Sequence, residues 1–165
     1  VLIKFNFIYI IIVIIVIKVS NLYMNNKWLY QIRVYFSSSF VDLYNSNKNS
    51  DLKIKLLNIL QTNNAELLSQ YDGFMGYVLE AEKNGTDNYP LYQWTKDCLG
   101  NSSKTEKYRT SYTAYIDNEE VYSKEKADNL EKSLKLLIDK VSFLRISKHD
   151  TNPDNNPQPP SKYIK

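Results

Sequence analysis

One cysteine, one histidine, four glycines and five prolines are all that 165 residues supply of the types that staple, ligate or bend a chain. The lone Cys98 excludes an intramolecular disulfide and any cysteine-built metal cage, and it mildly favours a reducing compartment. The lone His149 is followed by Asp150, but adjacent side chains on a strand point apart, so the pair is no ready-made dyad and reads as a solvated terminal histidine. No Gly-rich phosphate loop is present, and Glu80, Glu82, Asp87 and Asp97 lack metal-ligand spacing. Cofactor and metal are therefore both expected to be none, and the chain leans away from being an enzyme. Dominance of one charge is missing too: the net charge is +3, and +1 once residues 1–23 are set aside, because Lys4 and Lys18 lie there without an acid. No basic field points to nucleic acid.

Long apolar runs are confined to the N-terminus. Phe7 to Ile17 is continuous, with Lys4 before it and Lys18 after it, but it falls short of the roughly 20 residues that span a bilayer. Its exit, Lys18-Val19-Ser20-Asn21, offers no small-x-small cleavage site. Residues 1–23 read either as a short anchor, with weak membrane association through 7–17, or as DNA upstream of a start at Met24. The domain itself is then cytoplasmic, with flanking Lys and Arg favouring that side if the run inserts. Residues 24–149 form a single α+β domain, and 150–165, with four of the five prolines, form a tail unable to build a ladder or a core.

Within the domain, Tyr30, Ile32, Val34 and Phe36 alternate with Gln31, Arg33 and Tyr35, the pattern of a strand with one buried face. Asp51 is an N-cap candidate before Leu52, Leu56, Ile59 and Leu60 at helical spacing. Leu67, Leu68, Tyr71, Met75, Val78 and Leu79 keep a period near 3.6, which predicts a helix over 65–83 despite Gly73 and Gly76. Asp87-Asn88-Tyr89-Pro90 starts a short helix that Gly100 stops, with Cys98 packed in it. A polar loop over 101–106 leads to Tyr108–Ile116, whose Tyr/Thr alternation predicts a strand. After the turn-like Asp117-Asn118-Glu119-Glu120, Val121-Tyr122 begins a short returning strand. Ser123 caps an amphipathic helix whose apolar face is Ala127, Leu130, Leu134, Leu137 and Val141, and 142–147 is the last strand.

Strand, helices, strand, strand, helix, strand is the βαββαβ order of a ferredoxin-like sandwich, with extra helices in the first crossover and one sheet face open. That architecture hosts many unrelated functions. The informative residues are the arginines. Only Arg33, Arg109 and Arg145 stand among 21 basic residues, and all three fall in predicted strands. Arg33 and Arg109 lie opposite the apolar phase of their strands and share the open face with Tyr35 and Tyr115, and Arg145 joins them, together with Phe143, if Leu144 and Ile146 point into the core. Guanidinium forks and rings suit carboxylate or phosphate contacts, or a dimer interface, although exposed strands also carry Arg and Tyr routinely. Base stacking on an open sheet is disfavoured, since the 108–115 run lacks the Gly-Phe-Gly/Ala-Phe character of RNA-binding sheets. The expectation is a small binding or interaction module that uses this face for homodimerisation or an acidic protein partner. The alternative is a small dimeric α+β-barrel-type enzyme with a pocket between two sheets.

Overall fold

The computed structural model describes residues 28–156. The readings of the apolar N-terminal run and of the proline-rich end beyond Asn156 lie outside the described residues. Four strands, β1 (Tyr30–Phe36), β2 (Ala65–Ser69), β3 (Ser111–Ile116) and β4 (Phe143–Asp150), form one antiparallel sheet in the order β2-β3-β1-β4. Helices α1 (Ser38–Asn45) and α2 (Asp51–Thr62) connect β1 to β2, α3 (Gln70–Asn84), α4 (Tyr92–Gly100) and α5 (Ser102–Thr110) connect β2 to β3, and α6 (Lys124–Lys135) connects β3 to β4. The expected α+β class holds, with a four-stranded sheet and six helices. None of these helices is long and apolar enough to cross a membrane.

Serine punctuates the helices. The side chains of Ser37, Ser50, Ser69 and Ser123 accept from the backbone N–H of Phe40, Lys53, Asp72 and Lys126, each satisfying a donor that a helix start leaves free. The α2 cap is thus Ser50, one residue before the Asp51 expected from the sequence, and Asp51 becomes the acid of the first turn. Between α1 and α2, buried Lys53 directs its ammonium to the carbonyls of Leu43, Ser46 and Lys48 at 3.2, 2.6 and 3.1 Å. All three of its protons are thereby used.

The main core lies on one sheet face. Ile32, Val34 and Phe36 of β1, with Tyr112, Ala114 and Ile116 of β3 and Phe143 of β4, pack against Phe40, Leu56, Leu60, Ala127, Leu130 and Leu134 of the crossover helices. A second cluster, Phe74, Tyr77, Ala81, Tyr89, Leu91 and Cys98, belongs to α3–α4 and the segment between them, and Trp94 and Tyr108 pack on it.

Three expectations are corrected. The extra helices sit mainly between β2 and β3, not in the first crossover, because residues 65–69 are a strand. Leu67 packs in the main core and Leu68 in the second cluster, so both faces of β2 are covered and the hydrophobic alternation that would announce a strand is lost. Second, α6 ends at Lys135 and Val141 is 74% exposed rather than part of its apolar face. Asp139 accepts from the backbone N–H groups of Val141, Ser142 and Phe143 at 2.7–2.9 Å and turns the chain into β4. Third, Val121-Tyr122 forms no returning strand but a single bridge between Tyr30 and Tyr122. The hydroxyl of Tyr122 accepts from Ile32 N–H at 2.9 Å and donates to the Ala114 carbonyl at 3.2 Å, wedged between β1 and β3.

Candidate functional site: the arginine-bearing sheet face

Strand period decides what shares the second face. With Ile32 and Val34 in the core, Gln31, Arg33 and Tyr35 emerge on the other side. In register opposite them on β4 stand His149, Ser147 and Arg145. Tyr115 emerges from β3 opposite Glu66 of β2. Four of the five expected residues, Arg33, Tyr35, Tyr115 and Arg145, thus lie on one face.

Arg109 does not join them. It lies exposed in the last turn of α5, and its charge reaches the Tyr112 hydroxyl on the core side of β3. The expected strand began at Tyr108, but the observed one begins at Ser111. Asn101 accepts from Ser103 N–H and opens a helix that runs to Thr110. Tyr108 and Tyr112, four apart, satisfy the helical and the strand period alike, so alternation gave no boundary.

The face is also not bare throughout. Leu68 is packed into the second cluster, and Ser111 and Thr113 are buried, so the β2–β3 half adjoins the helical insertion. The less covered half is built from β1 and β4, where Arg145 is exposed and Arg33, Tyr35, Ser147 and His149 are half-buried. There the Arg145 guanidinium carbon lies over the Tyr35 ring, 3.6 Å from its centroid, a close cation–π contact. The Ser147 hydroxyl donates to the Tyr35 hydroxyl at 3.3 Å and lies 2.9 Å from His149 Nε2.

Arg33 Nε donates to Gln31 Oε1 at 2.6 Å, and Gln31 Nε2 donates to Glu120 Oε1 at 2.8 Å. Glu120 comes from the turn after β3 and is buried, and its Oε2 has no hydrogen-bond partner among the described residues. Burial pushes its carboxyl up to about 8, against the opposing pull of Arg33, Gln31 and Tyr115. Burial thus favours the protonated form of Glu120, and Glu120 makes no ion pair with Arg33 among the described residues. Burial and the charges of Arg33 and Arg145 lower the proton affinity of His149, and Asp150 opposes them. His149 is not the solvated terminal residue expected, because β4 runs past it to Asp150 and Thr151 N–H continues the pairing to the Leu29 carbonyl.

The charge pattern sets this face apart. All six ion pairs among the described residues are made by lysines, and among those residues no arginine has an acid in ion-pair contact. Sequence reasoning missed Gln31, Glu120, Ser147 and His149. Gln31 and Ser147 were legible from phase, but Glu120 sits in an acidic turn that reads as solvated.

Fold and site together define an α+β protein whose β1–β4 half-sheet carries two arginines with no ion-paired acid among the described residues. No family model, curated protein or solved structure matches the chain.

Proposed function

We propose that the chain is a small binding module whose β1–β4 half-face docks an acidic segment of a protein partner. The observation that carries this reading is that Arg33 and Arg145 lie on one open face without an ion-paired acid, while lysines make every ion pair among the described residues. Charge complementarity favours an anionic partner over a second copy, since facing copies would set these arginines against each other. The sheet order β4-β1-β3-β2, with helical crossovers from β1 to β2 and from β3 to β4, supports a ferredoxin-like sandwich elaborated by α3–α5. In this reading Tyr35 orients the Arg145 fork, Tyr115 supports Glu120, and Arg109 plays no part.

The alternative, an enzyme formed when two sheets enclose a pocket, draws on Glu120, a buried carboxyl that keeps its proton near neutral pH as a general acid does. One experiment separates the readings. Binding of a deca-glutamate peptide to wild type, Arg33→Ala/Arg145→Ala and Arg109→Ala is measured by calorimetry, with light scattering on each. We expect the double variant to lose about 30-fold in affinity, the effect of a roughly 2 kcal/mol anchor loss, and Arg109→Ala to bind as wild type. Equal binding by all three refutes the docking surface, and a wild-type dimer that the double variant abolishes replaces it with self-association.

A further inference from the structure

We propose that the group this face takes from its protein partner is a phosphoryl group, a phosphorylated side chain seated over Ser147 between Arg33, Arg145 and His149. The inference rests on the docking reading above and narrows it.

The register builds the seat. Ser147 lies directly opposite Arg33 in the β1–β4 ladder, and Arg145 and His149 flank it two residues away on the same face of β4. Diagonal cross-strand neighbours stand about 7–8 Å apart at Cα, within reach of long side chains on a common ligand. Three nitrogen-bearing groups thus surround one hydroxyl from three directions. A planar carboxylate has two oxygens and is satisfied by one guanidinium fork, whereas a tetrahedral phosphoryl group presents three terminal oxygens and uses all three.

The components are also held. Arg145 is stacked on Tyr35, Arg33 is tethered through Nε to Gln31, and the Ser147 hydroxyl is anchored on Tyr35 and beside His149. Two fixed guanidiniums need less ordering on binding than mobile lysines do.

Charge balance favours the dianion. Arg33 and Arg145 supply two positive charges, and an arriving dianion matches them. The charged or titratable groups acting on His149 are Arg33 from β1 and Arg145 and Asp150 from its own strand, while Glu120 and Tyr115 lie beyond Gln31. A dianion that offsets the two guanidiniums removes their repulsion of an imidazolium and leaves the pull of Asp150. His149 then takes up a proton as the phosphoryl group binds, which couples affinity to pH. Nucleic acid is the weaker source of the phosphate, because a polyanion is held by a track of basic side chains, and here the basic groups form one compact cluster in a chain of near-zero net charge.

His149 is the only histidine, so its imidazole resonances report on this seat without ambiguity. The full chain is titrated from pH 5 to 8 by NMR with inorganic phosphate, and with acetate at matched ionic strength. Phosphate should raise the His149 midpoint by about one pH unit, the effect of an opposite charge at close range. Half-saturation is expected at about 1–10 mM, the range of a weak free ion. Acetate should leave the midpoint unmoved, Arg145→Ala should abolish the response, and Arg109→Ala should keep it. Arg145→Lys, which retains charge but not the fork, should respond weakly. A phosphoseryl peptide should bind about tenfold tighter than its unphosphorylated twin, a difference of 1.4 kcal/mol.

If deca-glutamate binds through Arg145 while phosphate leaves His149 unmoved, the phosphoryl assignment falls and the docking reading stands. If neither binds, both fall. An oligouridylate that displaces the phosphopeptide at equal phosphate concentration overturns the protein source.

Discussion

Glu120→Gln should stabilise the protein at neutral pH and remove a pH dependence that wild type carries. Glu120 is buried beside Gln31, and burial moves its carboxyl from an ordinary 4.5 to about 8. The folded chain keeps a proton there that the unfolded chain releases above pH 4.5. Stability is therefore fully present below pH 4.5 and declines as the pH rises toward 8. A separation of that size corresponds to about 5 kcal/mol over the whole interval, and to about 3 kcal/mol at pH 7. Glutamine keeps the oxygen that Gln31 donates to and has no proton to lose. His149 acts with the opposite sign, since a lowered imidazole costs stability in acid, but it is common to both proteins and cancels in the comparison. Urea melts of wild type and Glu120→Gln at pH 5, 6, 7 and 8 give the result as a difference. The gap should open in favour of the variant as pH rises. A gap that stays constant would mean that Glu120 is solvated and ionised, and that the Gln31–Arg33 tether ends in an ordinary surface carboxylate.

Leu134→Ala should cost about 2–5 kcal/mol in urea melts, because its side chain is fully buried in the main core. Lys135→Ala, which loses only a surface contact with Glu131, should stay within about 0.5 kcal/mol, and equal losses would refute the assigned face of α6. Tyr122→Phe keeps the ring but removes a hydroxyl with two backbone hydrogen bonds, so it should cost about 1–3 kcal/mol in the same assay. An unchanged midpoint would show that the β1–β3 ladder closes without the wedge.

Much of the main core was legible in residue order. The alternation of β1 and the 3.6-residue spacing of Ala127, Leu130 and Leu134 each follow one period with one buried face, and the structure buries those faces. Asp117 and Asn118 read as a turn and adopt positive φ, with Ile116 and Glu119 exchanging both backbone hydrogen bonds across them. What stayed hidden is what depends on two layers at once. Residues 65–69 contact both clusters, so no single period marks them. Arg109 lies where helix and strand phases coincide. Glu120 is acidic in an acidic turn, and its burial beside Gln31 and Tyr115 depends on contacts that residue order does not show. The candidate site was therefore half readable: strand phase gave Arg33 and Tyr35, whereas Arg145 shares their face while Phe143 turns into the core because the β1–β4 register shifts between them, and the grouping with Ser147 and His149 required that register.

The position of α3–α5 bears on how the sheet assembles. Neighbouring antiparallel strands such as β2 and β3 are joined in the simplest case by a tight hairpin, which pairs early because its ends are never far apart. Here residues 70–110 intervene, so that pairing must wait for a long loop to close. Relative to a four-residue turn, the added entropy of closure is about 2 kcal/mol. Formation of the α3–α5 segment on its own aromatic cluster ahead of strand pairing would shorten that span. With that order of events, Phe74→Ala should slow refolding of the whole sheet in stopped-flow measurements as well as loosen the cluster in which that ring sits, and an unchanged refolding rate would show that the strands pair without the insertion.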